Sequence, residues 1–260
     1  PDAHSTAIAP SSAMLSSLAI KGYIIALLKV FYVAVGAKII TRLPITDILT
    51  LLGMVAIIAG ALFALAQDEL KRRLAFSTIS QVGYIFLGIG LGNIHGLTGT
   101  FMHILSHATT KALLFLAAGA MIKHTGKSRI SEMAGVGAAM PVTVGAFAVG
   151  SLSMIGIPLF SGFVSKWQLL LGSLANGNYL AVLVLVGGSL LAAAYLLPVL
   201  RMAFFERPLQ KPVVANVSYV QLAALLFLVV VIISVGVVPD GVLQLASEAA
   251  TALLGLEVLP

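Results

Sequence analysis

Long apolar runs separated by short polar turns organise this chain. Seven such runs recur along its 260 residues, at 11–36, 45–66, 74–92, 97–122, 140–171, 180–200 and 217–238. About 20 apolar residues suffice to cross a hydrocarbon core of about 30 Å. Each run therefore predicts a membrane-spanning helix, and the fold class is all-α: a polytopic membrane protein of about seven transmembrane helices, one domain over residues 1–260. Lys38, Arg42 and Pro44 separate the first two runs, and the charged turn QDELKRR at 67–73 follows the second. Asn93–Gly96 joins the third to the fourth. Residues 240–256 form an amphipathic tail, too polar to cross, which predicts a helix lying on the membrane surface.

The run at 140–171 is too long for one crossing. At 1.5 Å per residue it would reach about 48 Å. It also contains Gly156, Pro158, Ser161, Gly162 and Lys166. A broken helix accounts for both facts, because irregular backbone is tolerated in a membrane where it lines a cavity. A tilted helix, or one that begins on the surface, is the alternative.

Composition agrees with a membrane protein: 60% of residues are hydrophobic and 9% charged, against about 25% charged in soluble domains. The formal net charge of +6 is explained by topology. Lys71, Arg72, Arg73, Lys123, Lys127, Arg129, Arg201, Arg207 and Lys211 follow the even-numbered spans, and only Lys38 and Arg42 lie between spans on the other side. The positive-inside rule then makes the basic loops cytoplasmic and the C-terminus external, in a bacterial or archaeal cell membrane. A nucleic-acid partner loses its main support, leaving membrane lipid as the surroundings. No cysteine is present, which excludes thiolate metal sites, iron–sulfur ligation and disulfides within this chain. Residue 1 is Pro, and PDAH reads as the interior of a longer chain, so a fragment is expected.

The chemistry lies inside the spans. Lys21, Lys111 and Lys166 sit deep in apolar runs without an equally deep Asp or Glu. His103, His107 and Lys111 are spaced four apart and drift by only about 40° per step around a helix, so they share one face. An ionisable side chain at the bilayer centre costs between about 2.5 and more than 10 kcal/mol, so these residues need a compensating interior, and the default assignment is an ion or proton pathway. Desolvation favours the neutral form of an ammonium and so promotes proton exchange, and an imidazole can accept a proton at one nitrogen and release it from the other. Ser77, Ser80, Gln81 and Thr110, with Thr78 and Thr109, suit the holding of water, although hydroxyls in membrane helices commonly pack or bond back to the helix. Lys29, near a helix end, can snorkel and is given no role. A metal site is not expected: the histidine pair lacks a third ligand and Lys111 repels a cation. Glycines 83, 88, 90, 92, 187 and 188 read as close helix packing. No phosphate loop, dinucleotide fingerprint or nucleophile elbow occurs, and no cofactor is expected.

At four places the sequence resembles the antiporter-like subunit superfamily: complex I antiporter-like subunits, Mrp cation/proton antiporter subunits and the membrane arms of group 4 hydrogenases. QDELKRRLAFSTISQVGY at 67–84 resembles the superfamily's stretch Q-x-D/E-I/L-K-R-x-x-A-Y/F-S-x-x-S-x-x-G. HILSHATTKALLFLAAG at 103–119 is similar to its helix with H-x-x-x-H-x-x-x-K. GIPLFSGFVSKWQLL at 156–170 is similar to its broken-helix motif, which ends in lysine or glutamate. PDAHSTAIAPSSAMLSSLAIK at 1–21 resembles the passage from one broken helix into a lysine-bearing helix. The resemblance implies the C-terminal part of a 14-helix fold built as two inverted repeats, with this chain carrying the second. It implies a proton relay in which Lys21 is the connecting lysine, Lys111 the central one and Lys166 the residue leading to the outer exit. His103 and His107 match the central histidines, and Gln81 stands where some members carry histidine. The glutamate–lysine pair of the first repeat has no counterpart here, so the chain alone should lack a complete inlet. Partners would be other membrane subunits, protons and, as a second candidate cation, Na+. APSSAMLSSLAIKGYIIALLK is closer in style to Mrp D-type subunits than to the complex I core set. A redox-driven pump subunit, an Na+/H+ antiporter component and a structural subunit are the competing functions, and an enzymatic role would belong to the assembly, of NADH:quinone type.

Overall fold

The computed structural model describes residues 2, 6–40, 42–206 and 217–256. Arg207, Pro208, Lys211 and Pro212 of the expected basic loop lie outside the described residues. Helix α1, Ala9–Ile40, is 32 residues long and widens into π turns at Leu15–Ala19 and Lys29–Gly36. Helix α2 is Ile45–Leu65, with Asp47 in its first turn beside the positive helix pole. Helix α3, Leu70–Leu91, ends at Gly92, whose φ of 60° is the left-handed cap that glycine adopts without strain. Helix α4, Ile94–Thr125, opens on Asn93, whose side chain accepts from the Gly96 amide at 2.8 Å. Two 15-residue helices follow, α5 at Pro141–Ile155 and α6 at Ser161–Ala175. Helices α7 (Tyr179–Phe205), α8 (Tyr219–Val237) and α9 (Asp240–Leu254) complete the chain. Among the described residues there is no strand, and six helices are long and apolar enough to cross a membrane.

The polarity is that of a membrane protein. Tyr23, Leu51, Phe63, Leu183, Leu190 and Phe227 face outward, whereas Lys21, Lys111, Lys166, His103, His107 and many hydroxyls are buried. Helix α4 is the hub, packing against α1, α3, α5, α6, α8 and α9. Helices α2 and α3 meet backbone to backbone through glycines. A Cβ on Gly53 would stand 2.5 Å from the Leu87 nitrogen, and one on Gly60 would stand 2.4 Å from the Ser80 nitrogen. Such contacts are how membrane helices gain dispersion energy where no hydrophobic drive exists. Gly60→Leu is therefore expected to cost ~1–3 kcal/mol by overpacking, read as a lower Tm of the detergent-purified parent protein. An unchanged Tm would show that the two helices have slack.

Both ends of the bundle are tied. At one end the Leu70 amide donates to the Ser128 carbonyl at 3.0 Å, Ile130 to Asp68 at 2.8 Å, and Gly135 to Met202 at 3.1 Å. The turns after α2, α4 and α7 thus share one end. At the other end Asn93 donates to the Gly172 carbonyl and to Asn176 Oδ1, and Asn176 donates to the Leu91 carbonyl.

Two expectations need correction. The third span begins at Leu70, not Leu74, and Arg73 is not a loop charge: it is 8% exposed. Its guanidinium donates to the carbonyls of Gln67, at the C-terminal end of α2, and of Tyr195 in α7. The negative pole of one helix and a carbonyl three residues before Pro198 of another satisfy it. The tail does not simply lie on a surface either. Ala250 of α9 is fully buried, and with Leu253 and Leu254 it joins a cluster containing Ile24, Leu28, Tyr32 and Leu97.

Candidate functional site

Three buried lysines and two buried histidines occupy the bundle interior. Lys111 is wholly buried, and Lys21, His103, His107 and Lys166 are between 2% and 8% exposed. No Asp or Glu is buried among the described residues. The two ion pairs found there, Arg72–Asp2 and Arg201–Glu206, are at exposed positions.

Lys21 follows the first π turn of α1, a local widening that recurs at functional sites. Its Nζ donates to the Ser16 carbonyl within that turn. The Ser16 hydroxyl is 2.7 Å from Thr78 Oγ1, which donates to the Leu74 carbonyl at 3.1 Å. The same carbonyl accepts from Lys111 Nζ at 2.7 Å and from the Ser77 hydroxyl at 2.9 Å. Lys111 also donates to Ser77 Oγ and stands 5.8 Å from the centre of the Phe115 ring. A string of hydroxyls and carbonyls on α1 and α3 therefore lies between the first two lysines.

The third lysine sits at the break between α5 and α6. Helix α5 ends in a Schellman cap, with Gly156 at φ 94° and the Ile157 amide bonded back to the Leu152 carbonyl. Ile157-Pro158-Leu159-Phe160 then turns with Leu159 at φ 77°, a backbone region that disfavours a leucine. Lys166, one turn into α6, reaches back. Its Nζ donates to the Met154 carbonyl at 2.8 Å, to the Ile155 carbonyl at 3.1 Å and to Ser189 Oγ of α7 at 3.1 Å. An ammonium carries three donors, and here all three have acceptors. Two of those acceptors are the last carbonyls of α5, where the helix dipole also favours a cation.

The histidines lie between. Their rings are nearly parallel, with centres 6.1 Å apart. His103 Nδ1 is 2.9 Å from Ser165 Oγ on α6. Electrostatically, His107 interacts with Lys21 and Lys111, and His103 with Lys166 and Lys21. His103 Nε2, both His107 nitrogens and Gln81 Nε2 are buried without a protein partner. Buried polar atoms of this kind require hydrogen bonds, which water supplies in most interiors.

Of the other candidates, Thr110 Oγ1 is 3.1 Å from Ser153 Oγ, and Ser161 Oγ is 2.9 Å from Ser106 Oγ and 3.4 Å from Ser153 Oγ. The Gly162 amide donates to Ser153 Oγ at 3.2 Å. Ser80 stands apart from this group, donating to the Ile57 carbonyl of α2 at 2.9 Å. Thr109 bonds back to its own helix. Sequence reasoning did not single out Ser16, Tyr84, Ser153, Ser165, Ser189 or Tyr195. A signal existed for Tyr84, because Ser77, Gln81 and Tyr84 form an i, i+4, i+7 polar stripe on α3. Ser189 and Ser16 carried none, since an isolated serine in an apolar helix is ordinary.

Residues 1–192 match the protein-family model described as "NADH:quinone oxidoreductase/Mrp antiporter, TM". The chain is 38% identical over 254 residues to NADH-quinone oxidoreductase subunit N of Desulforudis audaxviator, an alignment covering 93% of this chain and 50% of that protein. Its structure is similar to a chain of the Mrp complex from Dietzia sp. DQ12-45-1b, with a TM-score of 0.90 and 26% identity over 97% of this chain and 55% of that one. It is likewise similar to a chain of an archaeal membrane-bound sulfane sulfur reductase, with a TM-score of 0.89 and 28% identity over 98% of this chain and 51% of that one. The chain spans about half the length of the curated relatives it matches.

Proposed function

We propose, for a chain that belongs to the NADH:quinone oxidoreductase/Mrp antiporter family of membrane proteins, that it carries half of a proton path inside a larger membrane complex. Protons pass from Lys21 to Lys111 by way of water and the Ser16, Thr78 and Ser77 hydroxyls, which the Leu74 carbonyl orients by accepting from Thr78 and Ser77, then by way of His107, His103 and water to Lys166 and out. The observation that carries this is the set of three lysines and two histidines buried together, with buried hydroxyls beside them and no buried carboxylate among the described residues. The same feature favours protons over Na+. A sodium ion wants several oxygen ligands, preferably charged, and in this set it would meet ammonium groups instead. The inlet would be completed by the remainder of the parent protein.

In this reading α5 and α6 cross the membrane together as one broken helix, giving seven crossings and the second of two inverted repeats. Lys71, Arg72, Lys123, Lys127, Arg129 and Arg201 belong to the end where the turns after α2, α4 and α7 are tied, and Lys38 and Arg42 to the other. The positive-inside rule makes the first end cytoplasmic and the C-terminus external.

The test is Lys166→Ala in the parent protein, assembled in its complex and reconstituted in vesicles. Proton transport, followed with a pH-sensitive dye, is expected to fall by at least about 100-fold, the scale of a lost proton-transfer group. Native transport would sink the relay and leave a structural subunit. What drives transport is a separate question, answered by mild-detergent purification and mass spectrometry. Flavin or iron–sulfur companions indicate a redox-driven pump, and small hydrophobic companions alone an Mrp-type cation/proton antiporter.

A further inference from the structure

Tyr84 stands between the two groups that the last transfer must join, and the path as drawn does not use it. It is completely buried. Lys166 Nζ lies over its ring, 4.6 Å from the centre. The same ring stacks on the His103 imidazole, with centres 5.3 Å apart and planes 25° apart. Its hydroxyl donates to the Leu185 carbonyl of α7 at 3.3 Å. Three residues on, Gly188 leaves room for it, since a Cβ there would stand 2.5 Å from the tyrosine oxygen. The ring is thus held by α7 while it touches a relay group on α4 and another on α6.

The three protons of the Lys166 ammonium point at Met154, Ile155 and Ser189. The ring adds the attraction of a π face for a cation, which a neutral amine does not feel equally. The titratable groups facing Lys166 are Tyr84 from α3 and His103 from α4, with Tyr195 of α7 nearby, donating to Met154 Sδ at 3.8 Å. Helix α5 contains no titratable residue, and in α8 the single one, Tyr219, is at the far end from the break. Tyr84 is therefore the aromatic partner of the exit lysine.

We propose that Tyr84 is a positioning residue for the final transfer, its ring holding the charged Lys166 against the open end of α5 and in register with His103. The proposal rests on the relay described above and goes beyond it. In the parent protein within its complex, Tyr84→Phe keeps the ring and loses the hydroxyl, and Tyr84→Leu loses both. Transport by Tyr84→Phe is expected within about twofold of native. Tyr84→Leu is expected about tenfold lower, with the pH of half-maximal transport displaced by about half a unit, the scale of a cation–π contact. Tyr84→Met, whose flexible side chain fills irregular space, carries the same expectation if the leucine variant does not assemble. A uniform loss at every pH, or a phenylalanine variant as impaired as the leucine one, would overturn the proposal. Native transport by Lys166→Ala would instead remove the relay, so the two failures are distinguishable.

Discussion

Lys111→Met is expected to leave the parent complex assembled and to reduce its proton transport by at least about 100-fold, the range of a lost general acid–base group. Assembly survives because little is orphaned. The Leu74 carbonyl that loses the Lys111 ammonium still accepts from the Ser77 and Thr78 hydroxyls. Methionine fills a similar volume, and removing a buried charge without a counter-ion relieves a desolvation cost. Transport fails because the string from Lys21 then ends at a hydroxyl that has no base beyond it. Lys111→Arg is the sharper companion. A guanidinium preserves the charge but does not deprotonate in proteins, so the arginine variant is expected to be as inactive as the methionine one. Near-native transport with arginine would mean that the site supplies a fixed positive charge rather than a carried proton.

The second large effect is structural. Gly162→Val is expected to stop the parent protein from accumulating in the membrane. A Cβ at Gly162 would stand 1.8 Å from the Ser153 carbonyl oxygen and 2.8 Å from its carbon, and both are backbone atoms that cannot rotate away. Here α6 begins against the last turn of α5, with the Gly162 amide donating to Ser153 Oγ. Overpacking in a core costs ~1–3 kcal/mol and more where backbone must move. Gly145→Ala on α5 is the matched control, because nothing lies within 4 Å of its Cβ position, and it is expected to accumulate normally. Quantitative immunoblotting of membranes decides, and equal levels of the two variants would show that the break can open to admit a side chain.

Much of this was legible in the sequence because the membrane leaves few choices. An apolar run of 20 residues can satisfy its backbone in lipid only as a helix, and the overlong run at 140–171 advertised its break through Gly156, Pro158 and Gly162. The lysines and histidines were legible for the converse reason: charge that deep demands an explanation. What stayed hidden depends on which helix faces which. Arg73 sits in a charged run that looks like a solvated turn, and only the meeting of the α2 C-terminus with α7 buries it. The acceptors of Lys166 are mostly backbone carbonyls, which every residue has. Tyr84 is an ordinary core aromatic until α6 brings an ammonium over its face.

The end of α5 has a consequence for how such a subunit could be driven. A helix that stops inside a membrane leaves carbonyls where no bulk water reaches, and here one side chain, Lys166, closes the Met154 and Ile155 carbonyls. In the proposed path, the proton on Lys166 would therefore also fasten the joint. Two properties that share a bond are reciprocally linked. A neighbour that flexes α5 against α6 alters how readily the proton is held, and a proton arriving or leaving changes how stiffly the joint resists flexing. Both ends of the bundle are laced together by hydrogen bonds, and in the proposed path that joint between them is where displacement and charge would be exchanged, in either direction.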